Sequence, residues 1–128
     1  MRIRAYRIGD EDCIVPNEYM EDWRDDTYPL ECIRNGESFT IVDSNDKIQC
    51  IVNFTAIDDL RLYGWFLRDK NANPLFIVKV DKIIKKFLQN GFIMCTLSKE
   101  GPMQDRMHKY LGFVKDKKVG DLQLWVRR

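Results

Sequence analysis

The sequence predicts an α+β (mixed α/β) domain in which helices flank one central, mostly antiparallel sheet of about six to seven strands. Three observations carry this prediction. Residues 38–67 hold strand-like segments separated by turns, 75–88 have apolar residues at helical spacing, and 92–97 are an unbroken apolar run. No internal repeat or low-complexity linker divides the chain, so we expect residues 1–128 to form a single domain.

The chain begins with a strand pattern. Residues Arg2–Ile8 alternate basic and apolar side chains, as a half-buried strand does. Gly9 ends this pattern, and Asp10 is suited to cap a helix that enters at Glu11. The first element is therefore predicted to be a strand that leads directly into a helix.

The next segment is predicted to be mostly helical. Pro16 interrupts the first helix or starts a second one, whose apolar residues at helical spacing are Tyr19, Met20 and Trp23. Residues 25–29 are expected to form a loop, and 30–34 fit either a short helix or a strand.

Three strands are predicted in the middle of the chain. Residues 38–43 and 47–56 have the period of strands, and the turn residues 44–46 between them indicate an antiparallel hairpin. A second turn at Asp58-Asp59 precedes 61–67, an aromatic-rich strand.

A long amphipathic helix follows. Asn73 suits the helix cap and Pro74 the first helical position, and the apolar stripe falls at 76, 80, 83, 84, 87 and 88. The opening residues 75–78 also fit a strand, so a helix start near Val80 is the alternative. Asn90-Gly91 is typical of a helix end.

The last third of the chain predicts a strand, a helix and two further strands. The apolar run 92–97 fits a strand buried on both faces. A short helix over 102–111 ends at Gly112, and strands over 113–115 and 122–126 are joined by a Lys-rich turn.

Composition excludes several classes of protein. The 128 residues are 45% hydrophobic and carry a net charge of +1, which excludes a disordered tail and a general nucleic-acid binder. No apolar run is long enough to span a membrane, and the N-terminus lacks the apolar core of a signal peptide. The four cysteines have no C-x-x-C spacing, so we expect no metal site. We expect a soluble, cytoplasmic protein with mostly buried, free thiols.

The net charge of +1 conceals a polarised chain. Residues 10–37 carry ten acidic and two basic side chains, a net charge of −8, whereas 79–128 carry +7. Two interpretations stay open: the charged segments pack together or form solvated faces, or one face recruits a charged partner. The candidates for such a partner-binding face are the acidic residues Glu21, Asp22, Asp25 and Asp26 and the aromatic Trp23, although Trp23 also fits the core side of its helix.

The order of elements, together with Arg106–Phe113, resembles the GCN5-related N-acetyltransferase (GNAT) superfamily. That family closes with a short helix that ends near a tyrosine and is followed by Gly-Phe at the start of a strand, as in Leu111-Gly112-Phe113. The resemblance implies a GNAT-like fold. It also implies an acetyl-CoA site in which backbone N–H groups after the fourth strand hold the pyrophosphate.

The cofactor loop departs from the family pattern Gln/Arg-x-x-Gly-x-Gly/Ala. Arg68 matches its first position, but Asn71 and Asn73 replace the two small residues. Pro74 lacks an N–H donor, and Asp69 adds a negative charge. If the protein were an enzyme, the cofactor-binding residues would be Arg68, Lys70, Asn71 and Asn73.

The catalytic positions depart from the family too. His108 stands where the family commonly has the tyrosine that protonates the CoA thiolate, and Tyr110 follows two residues later. Either could act as the acid of an active enzyme, His108 because its ordinary pKa is about 6.5. Asp58 or Asp59 could then be the base that accepts a proton from an amine.

A narrower resemblance is to the GNAT-like internal virion protein A type of short-tailed bacteriophages. It rests on the hairpin, on Gly64-Trp65-Phe66, on the basic helix segment 79–86 and on the closing Gly-led strand. It implies an accessory role in the virion or against a host protein, in the host cytoplasm or the virion.

These observations favour a GNAT-fold protein with a degenerate acetyl-CoA site that is non-catalytic, carries no cofactor and acts by protein binding. The alternative is an active acetyl-CoA-dependent N-acetyltransferase acting on an amine. Nucleic-acid binding through the basic C-terminal half has no motif in its favour.

Overall fold

The computed structural model describes residues 1–16 and 36–128, and the predictions made for 17–35 lie outside this range. Seven strands, two α-helices and one 3-10 helix form the described part of the chain. The strands are β1 (Arg2–Ala5), β2 (Glu37–Val42), β3 (Ile48–Ala56), β4 (Arg61–Arg68), β5 (Ile93–Ser98), β6 (Val114–Val119) and β7 (Leu122–Arg127). The α-helices are α1 (Phe76–Gln89) and α2 (Pro102–Tyr110), and the 3-10 helix spans Asp10–Cys13.

The predicted α+β class and the mostly antiparallel sheet are confirmed. The sheet has seven strands in the order β1-β2-β3-β4-β5-β7-β6. The pairs β1–β2, β2–β3, β5–β7 and β6–β7 are antiparallel. β4 and β5 pair in parallel, and their register runs from Arg61–Ile93 to Tyr63–Cys95.

The chain packs as two compact units. The first comprises Met1–Thr55 and Trp65–Val80, and the second comprises Ala56–Gly64 and Asp81–Arg128. Neither α-helix of the described residues is long and apolar enough to cross a membrane.

The core of the first unit is built on β3. All residues from Ile48 to Phe54 are buried, which makes this strand the centre of the unit. One cluster of buried apolar side chains consists of Ile14, Val42, Ile48, Ile51 and Leu67. Tyr6 and Trp65 pack against its rim.

The expectation that Asp10 caps a helix at Glu11 is wrong. Gly9 is the cap residue, with a φ of 103°, and the 3-10 helix makes no side-chain capping bond. The buried Asp10 carboxylate instead accepts hydrogen bonds from the Arg4 guanidinium (2.8 and 3.0 Å), the Thr40 hydroxyl (2.7 Å) and the N–H of Arg7 (3.0 Å). Burial raises the pKa of Asp10, but these bonds outweigh burial and leave the pKa below its ordinary value.

Asn73 makes the predicted capping bond, but helix α1 begins at Phe76, two residues after the predicted first position Pro74. The Asn73 side-chain oxygen accepts the N–H of Leu75 (3.0 Å), and the N–H of Phe76 donates to the Asn73 carbonyl (3.0 Å). The alternative start near Val80 is therefore wrong, and 75–78 form no strand. The predicted stop is confirmed by Gly91, which has a φ of 88°, and by the bond from the N–H of Phe92 to the Phe87 carbonyl (3.2 Å).

The second unit packs α2 onto β7. Trp125 is fully buried, and its ring stacks on the His108 ring with centroids 4.8 Å apart. β6 and β7 pair through a bulge between Lys115 and Lys118. Gln123 fills this bulge, because its side-chain amide donates to the carbonyls of Asp116 (3.1 Å) and Lys117 (3.3 Å).

Candidate functional site

The loop between β4 and α1 is the segment to which the resemblance to the GNAT family assigns the pyrophosphate of acetyl-CoA. At its start, the N–H of Asp69 donates to the Gln49 carbonyl (3.0 Å) and that of Lys70 to the Val15 carbonyl (2.8 Å). Pro16 and Asp69 form an isolated antiparallel bridge. The start of the loop is therefore fastened to β3 and to the segment after the 3-10 helix.

The Asp69 side chain takes up two further donors. This carboxylate is only 5% exposed, and it accepts the N–H of Val15 (2.9 Å) and the N–H of Asn71 (3.0 Å). The N–H of Ala72 donates to the Asp69 carbonyl (3.0 Å). Asp69 thus accepts two N–H groups of the loop itself, that of Asn71 through its carboxylate and that of Ala72 through its carbonyl.

Asn73 closes the loop. Its N–H donates to the side-chain oxygen of Gln49 (2.8 Å), and its own side chain caps Leu75 as described above. The N–H groups of Ile77 and Val78 donate to the carbonyls of Pro74 (3.2 Å) and Leu75 (3.1 Å).

Every backbone N–H from residue 69 to residue 78 therefore has an acceptor within the chain, and Pro74 has no N–H to offer. A phosphate cradle requires N–H groups that are free to point at the anion. Breaking these bonds would leave their partners unpaired, at about 1–3 kcal/mol for each buried group. The residues present do not fit the pyrophosphate of acetyl-CoA.

The side chains proposed to hold the cofactor make no hydrogen bond or ion pair with one another in the described part of the chain. The Arg68 guanidinium lies over the Phe76 ring, 5.6 Å from its centroid, and its Nε atom is buried with no hydrogen-bond partner among the described residues. Lys70, Asn71 and Asn73 are exposed. None of these four side chains makes an ion pair with another described residue.

His108 lies in an apolar packing site. It is 5% exposed, and its ring stacks on Trp125 and meets the edge of Phe113 at 5.9 Å. Its Nδ1 atom lies 2.7 Å from the Gln104 carbonyl, so this nitrogen carries the proton and donates it. Burial lowers the pKa of His108, although the bond to Gln104 acts in the opposite direction. His108 is therefore neutral at pH 7, and its one proton is committed to a carbonyl, which does not suit a general acid.

The remaining catalytic candidates are at the surface. Tyr110 is 58% exposed at the end of α2. Asp58 accepts the N–H groups of Leu60 (2.9 Å) and Arg61 (2.8 Å), and its other oxygen pairs with the Arg61 guanidinium at 2.7 Å. The Arg61 side chain lowers the pKa of Asp58, which makes it a weaker base. Asp59 is exposed beside it, and no hydrogen bond or ion pair links any two of these candidates in the described structure.

Among the described residues, no three His, Cys, Asp or Glu side chains lie close enough together to hold a metal ion. Cys50 and Cys95 are buried free thiols, and burial raises the pKa of both. Cys13 is a free, exposed thiol. Glu21, Asp22, Trp23, Asp25 and Asp26, the candidates for a partner-binding face, lie outside the described residues.

Gln49 was not identified from the sequence. The signal for it was a polar residue inside a strand whose other members are mostly apolar, since a buried polar side chain needs a hydrogen-bond partner. Its partner, the N–H of Asn73, lies 24 positions away and leaves no local pattern.

Comparisons with solved structures identify the fold. The chain is similar to a spermidine N-acetyltransferase chimera from Vibrio cholerae and hSSAT, with 14% identity over 98% of this chain and 93% of that one, and a TM-score of 0.73. It is also similar to a putative phosphinothricin N-acetyltransferase, with 10% identity over 99% and 97% and a TM-score of 0.68. A ribosomal-protein-S5-alanine acetyltransferase from Vibrio fischeri gives 16% identity over 98% and 91%, with a TM-score of 0.63.

No family model and no curated protein matches the chain. The solved structures nevertheless cover nearly its whole length, and they are acetyltransferases with the same α+β architecture. The chain therefore has the GNAT acetyltransferase fold.

Proposed function

We propose that this chain is a GNAT-fold protein that does not use acetyl-CoA and acts by binding another protein. The observation that carries the proposal is the closed loop between β4 and α1, whose N–H groups all donate to acceptors of the chain itself. The buried, neutral His108 supports it further, because the chain's only histidine has no proton available for a leaving thiolate.

Isothermal titration calorimetry with acetyl-CoA tests this proposal. The expected result is no saturable heat at ligand concentrations up to about 1 mM. A dissociation constant of about 1 mM corresponds to a binding free energy of only about −4 kcal/mol, so this range includes weak binding. A matched variant, Asn71→Gly, restores the first small residue of the family pattern but leaves Asp69, Gln49 and the Asn73 cap in place, so it is expected to stay silent as well. Micromolar binding by the unmodified protein would overturn the proposal.

An N-acetyltransferase acting on an amine is the second candidate. It is favoured by the names of the solved neighbours, which include enzymes that acetylate spermidine and a ribosomal-protein alanine. Its test is the release of free CoA thiol from acetyl-CoA in the presence of polyamines or peptides with a free N-terminus. An enzyme that uses His108 as its acid loses its rate in His108→Ala, and an unchanged rate would remove His108 from the mechanism.

The protein partner is expected to belong to a virion or a host cell if the phage resemblance holds. The acidic segment of the sequence supplies one candidate surface for it. Reversing Glu21, Asp22, Asp25 and Asp26 to Lys should abolish capture of the partner without unfolding the chain, as judged by circular dichroism. Unchanged capture would remove this segment from the role.

A further inference from the structure

A groove lined mainly by charged residues lies on the second unit between α2 and β6. Its volume is about 590 Å³, and the residues that line it are Glu100, Gly101, Pro102, Asp105, Arg106, Lys109 and Lys115. β6 forms one end of the seven-stranded sheet, and all six of its residues are exposed. The volume falls within the range of ligand-binding clefts.

The carboxylates of this groove are already paired. Asp105 bonds to Lys115 at 3.1 Å, and Glu100 bonds to Lys118 at 3.2 Å. Arg106 and Lys109 are exposed, and neither makes an ion pair with a described residue. These two cations lie three positions apart on α2, which places them next to each other on the helix surface. The unpaired charge of the groove is therefore positive and is carried by Arg106 and Lys109.

The start of α2 also lines the groove through Gly101 and Pro102, and its first turn already holds the carboxylate of Asp105. Gly101 caps this helix without a side-chain hydrogen bond, and Pro102 is its first residue. The first-turn N–H groups and the positive end of the helix dipole favour a negative charge nearby. On the same helix, Met103 and Tyr110 are 55% and 58% exposed. They lie seven positions apart, on one side of the helix, and provide apolar surface next to the cations.

We propose that this groove binds an acidic peptide segment of another protein. A carboxylate of the segment lies between Arg106 and Lys109, and apolar side chains of the segment contact Met103 and Tyr110. The proposal gives the chemistry of a partner for the protein-binding role proposed above and rests on that role.

The mixed charge of the lining favours a peptide over a nucleic acid. A phosphate backbone would bring a negative charge at every nucleotide past Glu100 and Asp105, whereas a peptide can place one carboxylate at Arg106 and Lys109 and uncharged backbone beside Glu100 and Asp105. A peptide also brings N–H donors, which these carboxylates accept. A second copy of the chain is disfavoured at this edge, because β6 holds three Lys and one Asp and two such strands would bring like charges together.

The experiment is fluorescence polarisation at physiological ionic strength with a short labelled peptide of Glu, Leu and Ser residues. The same peptide with Gln in place of Glu is the ligand control. Arg106→Glu/Lys109→Glu is expected to bind the acidic peptide roughly tenfold more weakly than the unmodified chain. The matched control Lys82→Glu/Lys86→Glu, which reverses two exposed cations on α1, is expected to change binding little. Both pairs are exposed, so circular dichroism should show intact folds.

Several results would overturn the groove proposal. They are equal binding of the Gln peptide, an equal loss in the α1 control, or failure of the acidic peptide to bind while a labelled single-stranded oligonucleotide binds. Self-association that Arg106→Glu/Lys109→Glu abolishes would assign the groove to a second copy instead. Acetyl-CoA is titrated into the same samples. Binding of acetyl-CoA would overturn the proposed non-catalytic role, whereas binding of the peptide tests the groove alone.

Discussion

The N–H of Asn73 donates to the side-chain oxygen of Gln49 at 2.8 Å, which ties the loop before α1 to the buried strand β3. Gln49 is only 3% exposed, and its amide group also donates to the Lys47 carbonyl at 3.1 Å. This one side chain thus removes a donor from the loop and fixes the loop against the core of the first unit.

Replacing Gln49 should destabilise the fold. Gln49→Met keeps the shape of the side chain but leaves the N–H of Asn73 without its acceptor, so we expect a loss of about 1–3 kcal/mol in the free energy of unfolding. Urea denaturation measures this loss, with Gln89→Met at the exposed end of α1 as the matched control. A loss no larger than that of the control would show that the bond contributes nothing.

The loss of stability on replacing Asp69 should depend on how many hydrogen-bond acceptors the new side chain keeps. Asp69→Asn retains one carbonyl acceptor, whereas Asp69→Ala leaves the N–H groups of both Val15 and Asn71 unpaired. The alanine variant should therefore lose more stability, by about 1 kcal/mol or more. Hydrogen exchange of these two amides should accelerate in the same order. Unchanged exchange at both positions in Asp69→Ala would contradict the assigned role.

His108 should make stability depend on pH below about 6.5, its ordinary pKa. Burial lowers the pKa of His108 in the folded chain, so the unfolded chain binds the proton more readily. The contribution of His108 to the free energy of unfolding is therefore fully present above about pH 6.5 and is lost as the pH falls through its pKa in the folded chain. His108→Gln removes the chain's only histidine and should flatten this part of the profile. A profile of equal slope in both proteins would exclude His108 as the cause.

Asp10 should make the free energy of unfolding depend on pH in a separate, more acidic range. Its hydrogen bonds from Arg4, Thr40 and the N–H of Arg7 outweigh burial and lower its pKa in the folded chain. Its contribution to stability is therefore complete above about pH 3.9, the ordinary value, and is lost as the pH falls through the folded pKa. Asp10→Asn should be less stable at neutral pH and lose less on acidification, whereas Asp121→Asn, an exposed control, should follow the unmodified chain. A parallel acid response in Asp10→Asn would contradict this assignment.

Elements that depend on neighbouring residues could be predicted from the sequence. The hairpin of β2 and β3, the Asn73 cap and the Gly91 stop each follow from turn or capping residues within a few positions. The order of elements and the Leu111-Gly112-Phe113 motif were enough to predict the GNAT-like fold.

The chemistry of the loop could not be predicted to the same depth. The sequence identified Asn71, Asn73, Pro74 and Asp69 as departures from the family pattern, but not what each backbone donor bonds to. Those acceptors come from Val15 and Gln49, which lie far away in the chain. Asp10 was misassigned because its carboxylate accepts from Arg4, from the N–H of Arg7 and from Thr40, and Thr40 lies 30 positions away.

A ¹H–¹⁵N correlation spectrum recorded while acetyl-CoA is added to about 1 mM, a concentration that detects weak binding, tests most directly whether the loop between β4 and α1 is closed to the cofactor. We predict that the amide resonances of residues 69–78 do not move, because each of these N–H groups already donates within the chain. Saturable shifts of these amides with added acetyl-CoA would show that the loop binds the cofactor and would favour an active N-acetyltransferase instead.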